Sequence, residues 1–256
     1  MQWTGGLMIA RVLVIYVSAF LIGGAGLYVA SRKQPQPVRH ARLIKFITYF
    51  CIVNLVLLCA LGGRWVFSAL MVLIALLGAR EIFKVLPEAS GDRTPVAWAF
   101  GTVYLLIAVG AVMFAWRSSP STAMVVYLIV CAFDGFSQVA GQLLGRRQLA
   151  PRISPGKTIE GSMGGLLFAA GMAMLLRPVS GWSVQRSLLA CCFIVAAALA
   201  GDLLASLVKR RSNIKDFGNL LPGHGGILDR FDSFVFAAAA WLFVAEIARI
   251  WMGSLR

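Results

Sequence analysis

A polar stretch near the carboxyl end of the chain, residues 202–232, holds the side chains best suited to chemistry. It contains four of the chain's ten acidic residues, and cationic side chains lie among them. Carboxylate oxygens are the ligands that Mg²⁺ prefers, and Lys and Arg side chains neutralise phosphate oxygens. The stretch therefore predicts a site for a metal ion, a polyphosphate, or both. The residues concerned are Asp202, Ser206, Lys209, Arg210, Lys215, Asp216, His224, Gly225, Gly226, Asp229, Arg230 and Asp232.

The spacing within this stretch predicts two helix ends and a turn between them. If the preceding apolar segment continues as a helix through Lys209, then Asp202, Ser206 and Lys209 share one face at positions i, i+4 and i+7. If the next helix begins near Leu228, Asp229 lies in its first turn, where the helix dipole favours a carboxylate. The glycine-rich turn in between lets the backbone approach a ligand closely.

From Ser206 to Asp232 the chain resembles the phosphatidate cytidylyltransferases, also called CDP-diacylglycerol synthases. The similarity extends over 27 consecutive positions, which makes it far more specific than a lone glycine motif. The residues that carry it are Ser206, Lys209-Arg210, Lys215-Asp216, Pro222, His224-Gly225-Gly226, Asp229-Arg230 and Asp232.

A second segment, residues 146–161, resembles another hallmark of the same family. A Ser-Pro-x-Lys-Thr-x-Glu-Gly run carries this similarity. The physical reading agrees, because these side chains offer phosphate or ribose donors, and Thr158 can cap a helix that starts near Gly161. Glu160 near that start suits the helix dipole. The residues of the run are Ser154, Pro155, Lys157, Thr158, Glu160 and Gly161.

Asp134 lies midway along the preceding apolar span. A carboxylate there is expensive to insert, by roughly 2.5–3.5 kcal/mol, so it is expected to face protein or a water-filled cavity. It is assigned to substrate binding, with a structural hydrogen-bonded role as the alternative. Ser137-Gln138 stands where the family has Ala-Tyr, and Ile159 stands where it has an aromatic residue. These departures put the acceptor lipid in doubt more than the reaction.

The resemblance implies a reaction and a division of roles. The phosphate of phosphatidate attacks the α-phosphate of CTP, forming CDP-diacylglycerol and releasing pyrophosphate. Asp202 and Asp229 are expected to bind Mg²⁺, and a second cation such as K⁺ is left open. Phosphate contacts are assigned to Lys209, Arg210, Lys215 and Arg230, and contacts to the lipid phosphate or nucleotide to Ser206, Ser154 and Lys157. His224 either bonds a phosphate or pins the turn.

Composition places the chain in a membrane. Of its 256 residues 59% are hydrophobic and the mean hydropathy is +0.82, against about 45–50% apolar residues in soluble domains. The formal charge of +14 does not indicate nucleic acid, because the cations lie in short loops between apolar runs. Such loops suit membrane topology and anionic lipids. The five cysteines show no metal-ligand spacing.

Hydropathy predicts an all-α polytopic membrane bundle of about eight transmembrane helices. Most of the 24 Lys and Arg residues fall in alternate loops, which predicts an inner-membrane protein with both termini outside and the site loops facing the cytoplasm. The segment 31–45 is expected to be a solvated linker. The predicted spans lie near 10–30, 46–62, 65–80, 95–116, 121–145, 161–177, 187–208 and 233–252.

We expect residues 1–120 to form scaffold helices and residues 121–256 to form a catalytic region that includes the loops 146–161 and 209–232. The expected partners are CTP, phosphatidic acid and membrane lipids, while a homodimer is allowed but not required by the glycine-rich spans. Three alternatives stay open: the same transfer onto another phosphorylated lipid, such as an isoprenoid-ether lipid or a polyprenyl phosphate; an anion transporter; and a non-catalytic relative. The absence of a half-chain repeat disfavours the transporter.

Overall fold

The computed structural model of the chain describes residues 5–85, 94–220 and 225–254, and these ranges are almost entirely helical. The expected all-α fold is confirmed, with one small two-stranded antiparallel hairpin added to it. In chain order the elements are α1 (Gly5–Ser31), α2 (Gln36–Leu61), α3 (Arg64–Val85), α4 (Thr94–Arg117), α5 (Pro120–Leu144), β1 (Gln148–Ala150), β2 (Ser154–Thr158), α6 (Ile159–Leu175), α7 (Arg177–Ser180), α8 (Val184–Arg211) and α9 (Leu228–Ser254).

Within the described ranges, six helices are long and apolar enough to cross a membrane. They are α2, α3, α4 from Trp98, α5, α8 and α9 up to Trp251. Two shorter apolar stretches, Tyr16–Ser31 and Ile159–Leu175, coincide with the first and sixth predicted spans. The polytopic helical architecture is therefore confirmed, while the count of eight spans and the side of the membrane that each loop faces stay predictions.

Internal contacts divide the chain into two compact units. One comprises the residues up to Asn54 together with Met124–Val195, and the other comprises Leu55–Ala123 together with the residues from Ala196 onward. Of the two predicted site segments, 146–161 belongs to the first unit and 202–232 to the second. The division by role at residue 120 stays a prediction.

The second unit is built on α3, α4 and α9. Buried residues of α3 recur at alternating intervals of four and three, as on one face of a helix packed within protein. At Gly78 the absence of a side chain admits the ring of Tyr104, whose hydroxyl donates to the carbonyl of Ala75 at 3.1 Å. At Gly110 a Cβ would lie 2.9 Å from that of Ala239, so α4 and α9 also pack closely.

In the first unit, glycines of α6 permit a close crossing with α5. A Cβ on Gly161 would lie 2.8 Å from the carbonyl oxygen of Ser137, and one on Gly164 would lie 2.5 Å from Cβ of Ala140. These two glycines therefore bring the backbones of α5 and α6 close together. Gly171 differs, because a Cβ there would meet no described atom within 4 Å.

The expectation of a linker over 31–45 is wrong for most of its length. α2 begins at Gln36, so the basic residues that follow it lie on a helix. Pro37 does not prevent this, because proline is tolerated in the first turn, where its missing N–H would have no helical partner. The guanidinium of Arg42 donates to the Ala30 carbonyl and the Ser31 hydroxyl, both at 3.1 Å, which fixes the remaining turn.

The second and third predicted spans are joined by Gly62 and Gly63 alone. Gly63 has a φ of +89°, a conformation that favours glycine. Both flanking helices are longer than their predicted spans and are long and apolar enough to cross a membrane. The five cysteines are free thiols.

Candidate active site

The carboxyl-terminal end of α8 presents the first predicted row of site residues. The helix runs unbroken from Val184 to Arg211, so Asp202, Ser206 and Lys209 lie on one face as expected. The hydroxyl of Ser206 donates to Oδ1 of Asp202 at 3.3 Å. Three basic residues make up the last turn, where the helix dipole favours cations.

Asp229 lies in the first turn of α9 and accepts three hydrogen bonds. Its Oδ2 accepts the backbone N–H of Phe217 at 2.8 Å and that of Gly226 at 2.9 Å. Its Oδ1 accepts a bond from the ammonium of Lys209 at 2.7 Å. The side chain of Asp229 is 1% exposed and that of Lys209 is 13% exposed. Asp229 therefore joins the end of α8 and two points of the intervening loop, Phe217 and Gly226, to the start of α9.

The two glycines of the turn have no room for a side chain. Gly225 has a φ of +83°, and a Cβ there would lie 2.8 Å from Oδ2 of Asp229 and 3.1 Å from Cβ of Asp216. At Gly226 a Cβ would lie 2.5 Å from both carboxylate oxygens of Glu81. The glycines thus allow two carboxylates to reach the backbone of this turn.

Glu81 is a site residue that the sequence analysis missed. It comes from α3 and is 7% exposed, and its carboxylate accepts the N–H groups of Ile227 and Leu228, both at 2.9 Å. Its place in the sequence could have indicated a buried role, because Glu81 lies on the apolar stripe of α3, three residues after Gly78 and four before Val85. A carboxylate in such a stripe requires donors from another element.

The loop is also held by apolar packing. Phe217 is 5% exposed, and the ammonium of Lys209 lies 5.4 Å from the centroid of its ring. Phe217 belongs to a buried cluster from α3, α4, α8, α9 and the loop between the last two helices. Its members are Ile82, Val85, Tyr104, Ala108, Ala205, Phe217 and Leu228.

The remaining predicted side chains of this stretch are more open. Arg210, Lys215, Asp216 and Arg230 are exposed, which suits residues expected to meet a soluble nucleotide. Asp232 is half-buried, and its Oδ1 accepts the N–H of Ser233 at 2.7 Å. His224 lies outside the described residues.

α8 and α9 approach each other closely beside Asp202. A Cβ on Gly201 would lie 2.9 Å from the carbonyl oxygen of Asp232 and 2.5 Å from Cβ of Phe236. The Asp202 side chain therefore leaves α8 next to a tight helix crossing. Together with the Lys209–Asp229 bond, this crossing fixes the two helix ends that carry the predicted site.

In the first unit, the predicted substrate loop forms the β1–β2 hairpin followed by α6. Thr158 is the N-cap of α6, as predicted, and its Oγ1 accepts the N–H of Gly161 at 3.1 Å. Oε2 of Glu160 accepts the N–H groups of Arg146 at 3.0 Å and Arg147 at 3.1 Å. These backbone donors, Arg146 first, hold the pKa of the Glu160 carboxyl below its ordinary value.

The other predicted residues of the first unit are accessible to different extents. Ser154 and Lys157 lie on β2 and are half-buried. Asp134 is half-buried on α5, three residues before Ser137. The Oγ atom of Ser137 is buried and has no hydrogen-bond partner among the described residues, although Ser137 stands at one of the positions where the chain departs from the family pattern.

The carboxylate of Asp229 is a ligand of the type that Mg²⁺ prefers. Among the described residues, no three His, Cys, Asp or Glu side chains form a group able to hold a metal. This does not conflict with the expected site, because Mg²⁺ typically takes one or two carboxylates and completes its shell with water and substrate phosphate. A carboxylate with three bonded donors also retains an acceptor position.

Comparison with known proteins gives a family match that includes both motif segments of the sequence. The sequence profile of the Cytidylyltransferase family matches residues 99–248, more than half of the chain and all of the 202–232 stretch. This chain belongs to the cytidylyltransferase family. The match extends upstream of Asp134 to include most of α4, so the family likeness is broader than the motifs alone.

Individual relatives carry the name phosphatidate cytidylyltransferase. The one from Staphylococcus haemolyticus is 31% identical over 88% of this chain and 91% of its own length. Those from Bacillus subtilis and Pseudomonas aeruginosa are 42% and 41% identical, over 43% and 49% of this chain. These two alignments span 41% and 49% of the relatives, less than half of each.

Proposed function

We propose that this protein is a membrane-embedded phosphatidate cytidylyltransferase, which converts CTP and phosphatidate to CDP-diacylglycerol and pyrophosphate. The observation that carries the proposal is the buried Lys209–Asp229 pair at the junction of α8 and α9. It joins a phosphate-binding cation to a metal-binding carboxylate within the region matched by the family. The names of the relatives supply the substrates.

The reaction requires positioning and charge neutralisation more than covalent participation of the protein. A phosphate oxygen of phosphatidate attacks the α-phosphorus of CTP. The bond from that phosphorus to the bridging oxygen breaks, and pyrophosphate leaves with the bond's electron pair. Because the acceptor phosphate is already ionised near neutral pH, no general base is required.

Asp202 and Asp229 are the residues proposed to hold magnesium. Bound there, the ion would neutralise charge that builds up on the phosphate oxygens during transfer. Lys209 has a second task. Its ammonium bonds Asp229 in the structure, and with CTP bound it is proposed to turn to a phosphate oxygen.

The exposed cations Arg210, Lys215 and Arg230 are proposed to receive the triphosphate from solution. The glycine pair Gly225-Gly226 leaves room on the same turn for the carboxylates of Asp229 and Glu81. In the first unit, Ser154 and Lys157 are proposed to contact the lipid phosphate or the nucleotide, and Asp134 the substrate. We place the protein in the inner membrane, with these loops facing the cytoplasm where CTP is made.

The test is transfer of label from α-labelled CTP into the lipid phase by the purified protein, with phosphatidate and Mg²⁺ present. We expect label in CDP-diacylglycerol with the wild type and none with Asp229→Asn. Label that appears only with a polyprenyl phosphate or an ether-lipid phosphate would replace the acceptor and keep the reaction. A folded protein that binds no CTP would contradict the proposal.

A further inference from the structure

Glu81 occupies an unfavourable position on its own helix. It lies in the last turn and a half of α3, where the helix dipole disfavours a carboxylate. It is also almost fully buried, so the free-energy cost of burying its carboxylate must be offset by other contacts. The compensation comes from the start of α9, where free N–H groups and the positive end of the dipole favour an anion.

Glu81 and Asp229 divide the donors of this turn between them. Asp229 takes the N–H of Gly226, and Glu81 takes the next two, those of Ile227 and Leu228. Three consecutive backbone N–H groups are thus bound by two buried carboxylates. The residue that follows them along the chain is Asp229 itself, so Glu81 fixes the backbone that carries the proposed metal ligand.

Glu81 also lies close to a second part of the loop. A Cβ on Gly218 would lie 2.8 Å from its Oε1, and Gly218 directly follows Phe217, whose N–H bonds Asp229. The neighbouring Ile82 packs in the buried cluster with Phe217 and Leu228. The carboxylate therefore lies between two parts of the loop, with its direction set by apolar packing of α3.

We propose that Glu81 is a positioning residue of the active site: by binding the N–H groups of Ile227 and Leu228, it holds the Asp229 carboxylate in the orientation that binds magnesium. This inference rests on the proposed function, because it takes Asp229 as a metal ligand. Glu81 itself touches neither the substrate nor the metal. Groups that orient a metal ligand typically change metal affinity or activity by 10–100-fold when they are removed.

The experiment compares wild type, Glu81→Gln and the shorter Glu81→Asp in detergent. The first readout is binding of Mn²⁺, as a magnesium substitute, followed by electron paramagnetic resonance without CTP or lipid. The second is the Mg²⁺ concentration that gives half-maximal transfer. We expect both variants to bind Mn²⁺ roughly tenfold more weakly and to need roughly tenfold more Mg²⁺, with an unchanged KM for phosphatidate at saturating Mg²⁺.

Glu246→Gln is the matched control. Glu246 is a carboxylate of α9 that bonds Arg117 and Arg249, outside the proposed site. Glu246→Gln is expected to leave both Mn²⁺ binding and the Mg²⁺ concentration for half-maximal transfer unchanged. A purely structural role for Glu81 would lower the folded fraction and the kcat of the preparation, yet leave the Mg²⁺ dependence of the surviving enzyme unaltered.

The outcomes separate this inference from the proposed function. If wild type transfers no label but binds Mn²⁺, and both Glu81 variants bind it more weakly, the positioning role stands while the proposed reaction fails. Folded variants with wild-type Mn²⁺ binding and Mg²⁺ dependence would overturn the positioning role. So would a wild type that binds no Mn²⁺, or failure of both variants to fold, because Glu81 would then be a structural residue only.

Discussion

Asp229 combines two demands in one side chain. Its three hydrogen bonds hold the loop and α8 in place, and its proposed chemistry requires an oxygen that also binds a cation. Lys209 is the partner that can leave, because it bonds through a flexible side chain, whereas the two backbone donors are fixed by the fold. Backbone donors therefore hold Oδ2 in place, whereas Oδ1 can exchange its Lys209 partner for a cation.

Replacing Asp229 by Asn is expected to abolish transfer and to destabilise the protein. The amide cannot neutralise the nearly buried ammonium of Lys209, and loss of one partner of a buried ion pair typically costs about 3–5 kcal/mol. Thermal unfolding in detergent, measured alongside transfer activity, checks both effects. Asp216→Asn, a change at an exposed carboxylate, is the stability control and is expected to unfold within a degree or two of wild type.

Gly226→Ala is expected to destabilise the second unit by about 1–3 kcal/mol, because its methyl group would collide with both oxygens of Glu81. Gly171→Ala is the matched change at a helical glycine with open space around it. There the gain in helix propensity predicts about 0.5–1 kcal/mol of added stability. Equal unfolding temperatures for the two variants would contradict the packing described for the turn.

At the scale of elements, the β1–β2 hairpin and α6 are joined by two side chains of one short segment. Thr158 caps α6, and Glu160 bonds the chain where α5 ends. The two contacts act in opposite directions along the sequence, one forward and one back. Together they fix the hairpin against the start of α6, because the residues just before β1 and at the end of β2 both bond to this segment.

Glu160→Gln is expected to speed hydrogen exchange at the amides of Arg146 and Arg147, because a charge-assisted acceptor is replaced by a neutral one. The pKa of Glu160 is lowered, so its contribution is complete above the ordinary glutamate pKa. It is lost as pH falls through the lowered native value. The difference between variant and wild type should therefore vanish at acid pH, while Glu246→Gln should exchange at both amides like wild type throughout.

What the sequence predicts about elements follows from how local the determining contacts are. The extension of α8 past Lys209, the start of α9 at Leu228 and the cap by Thr158 depend on neighbours in the chain, and all three predictions are confirmed. The linker over 31–45 was mistaken because its prolines and charges were given more weight than the helix that they permit. Glu81 was missed because its partners lie 146 and 147 residues away.

For the whole molecule, topology is the property that charge distribution predicts and that contacts within the chain do not test. The loop of residues 146–161 is expected inside, and the connection between α4 and α5 outside. Introduced cysteines at Gly156 and Ser119, both exposed, report this in a background with the five native cysteines replaced. A membrane-impermeant maleimide added to intact cells should label Ser119→Cys and not Gly156→Cys, and the reverse pattern would invert the predicted orientation.

α9 links the proposed site to an ion cluster in its carboxyl-terminal third. Asp229 bonds Lys209 at the start of the helix, and Glu246 bonds Arg117 and Arg249 seventeen residues later. At 1.5 Å per residue the two carboxylates lie about 26 Å apart, close to the roughly 30 Å thickness of a bilayer's hydrocarbon core.

Ion pairs at these two points along α9 fix its position along its axis relative to the helices that supply Lys209 and Arg117. The helix cannot slide along its axis without breaking one of the two clusters, so a thicker or thinner bilayer must deform locally or strain them. Transfer activity in vesicles of graded acyl-chain length is expected to peak at an intermediate length. Glu246→Gln, which removes the second ion cluster, should broaden that peak, and bilayer thickness would then be a variable that sets the rate of the proposed transfer.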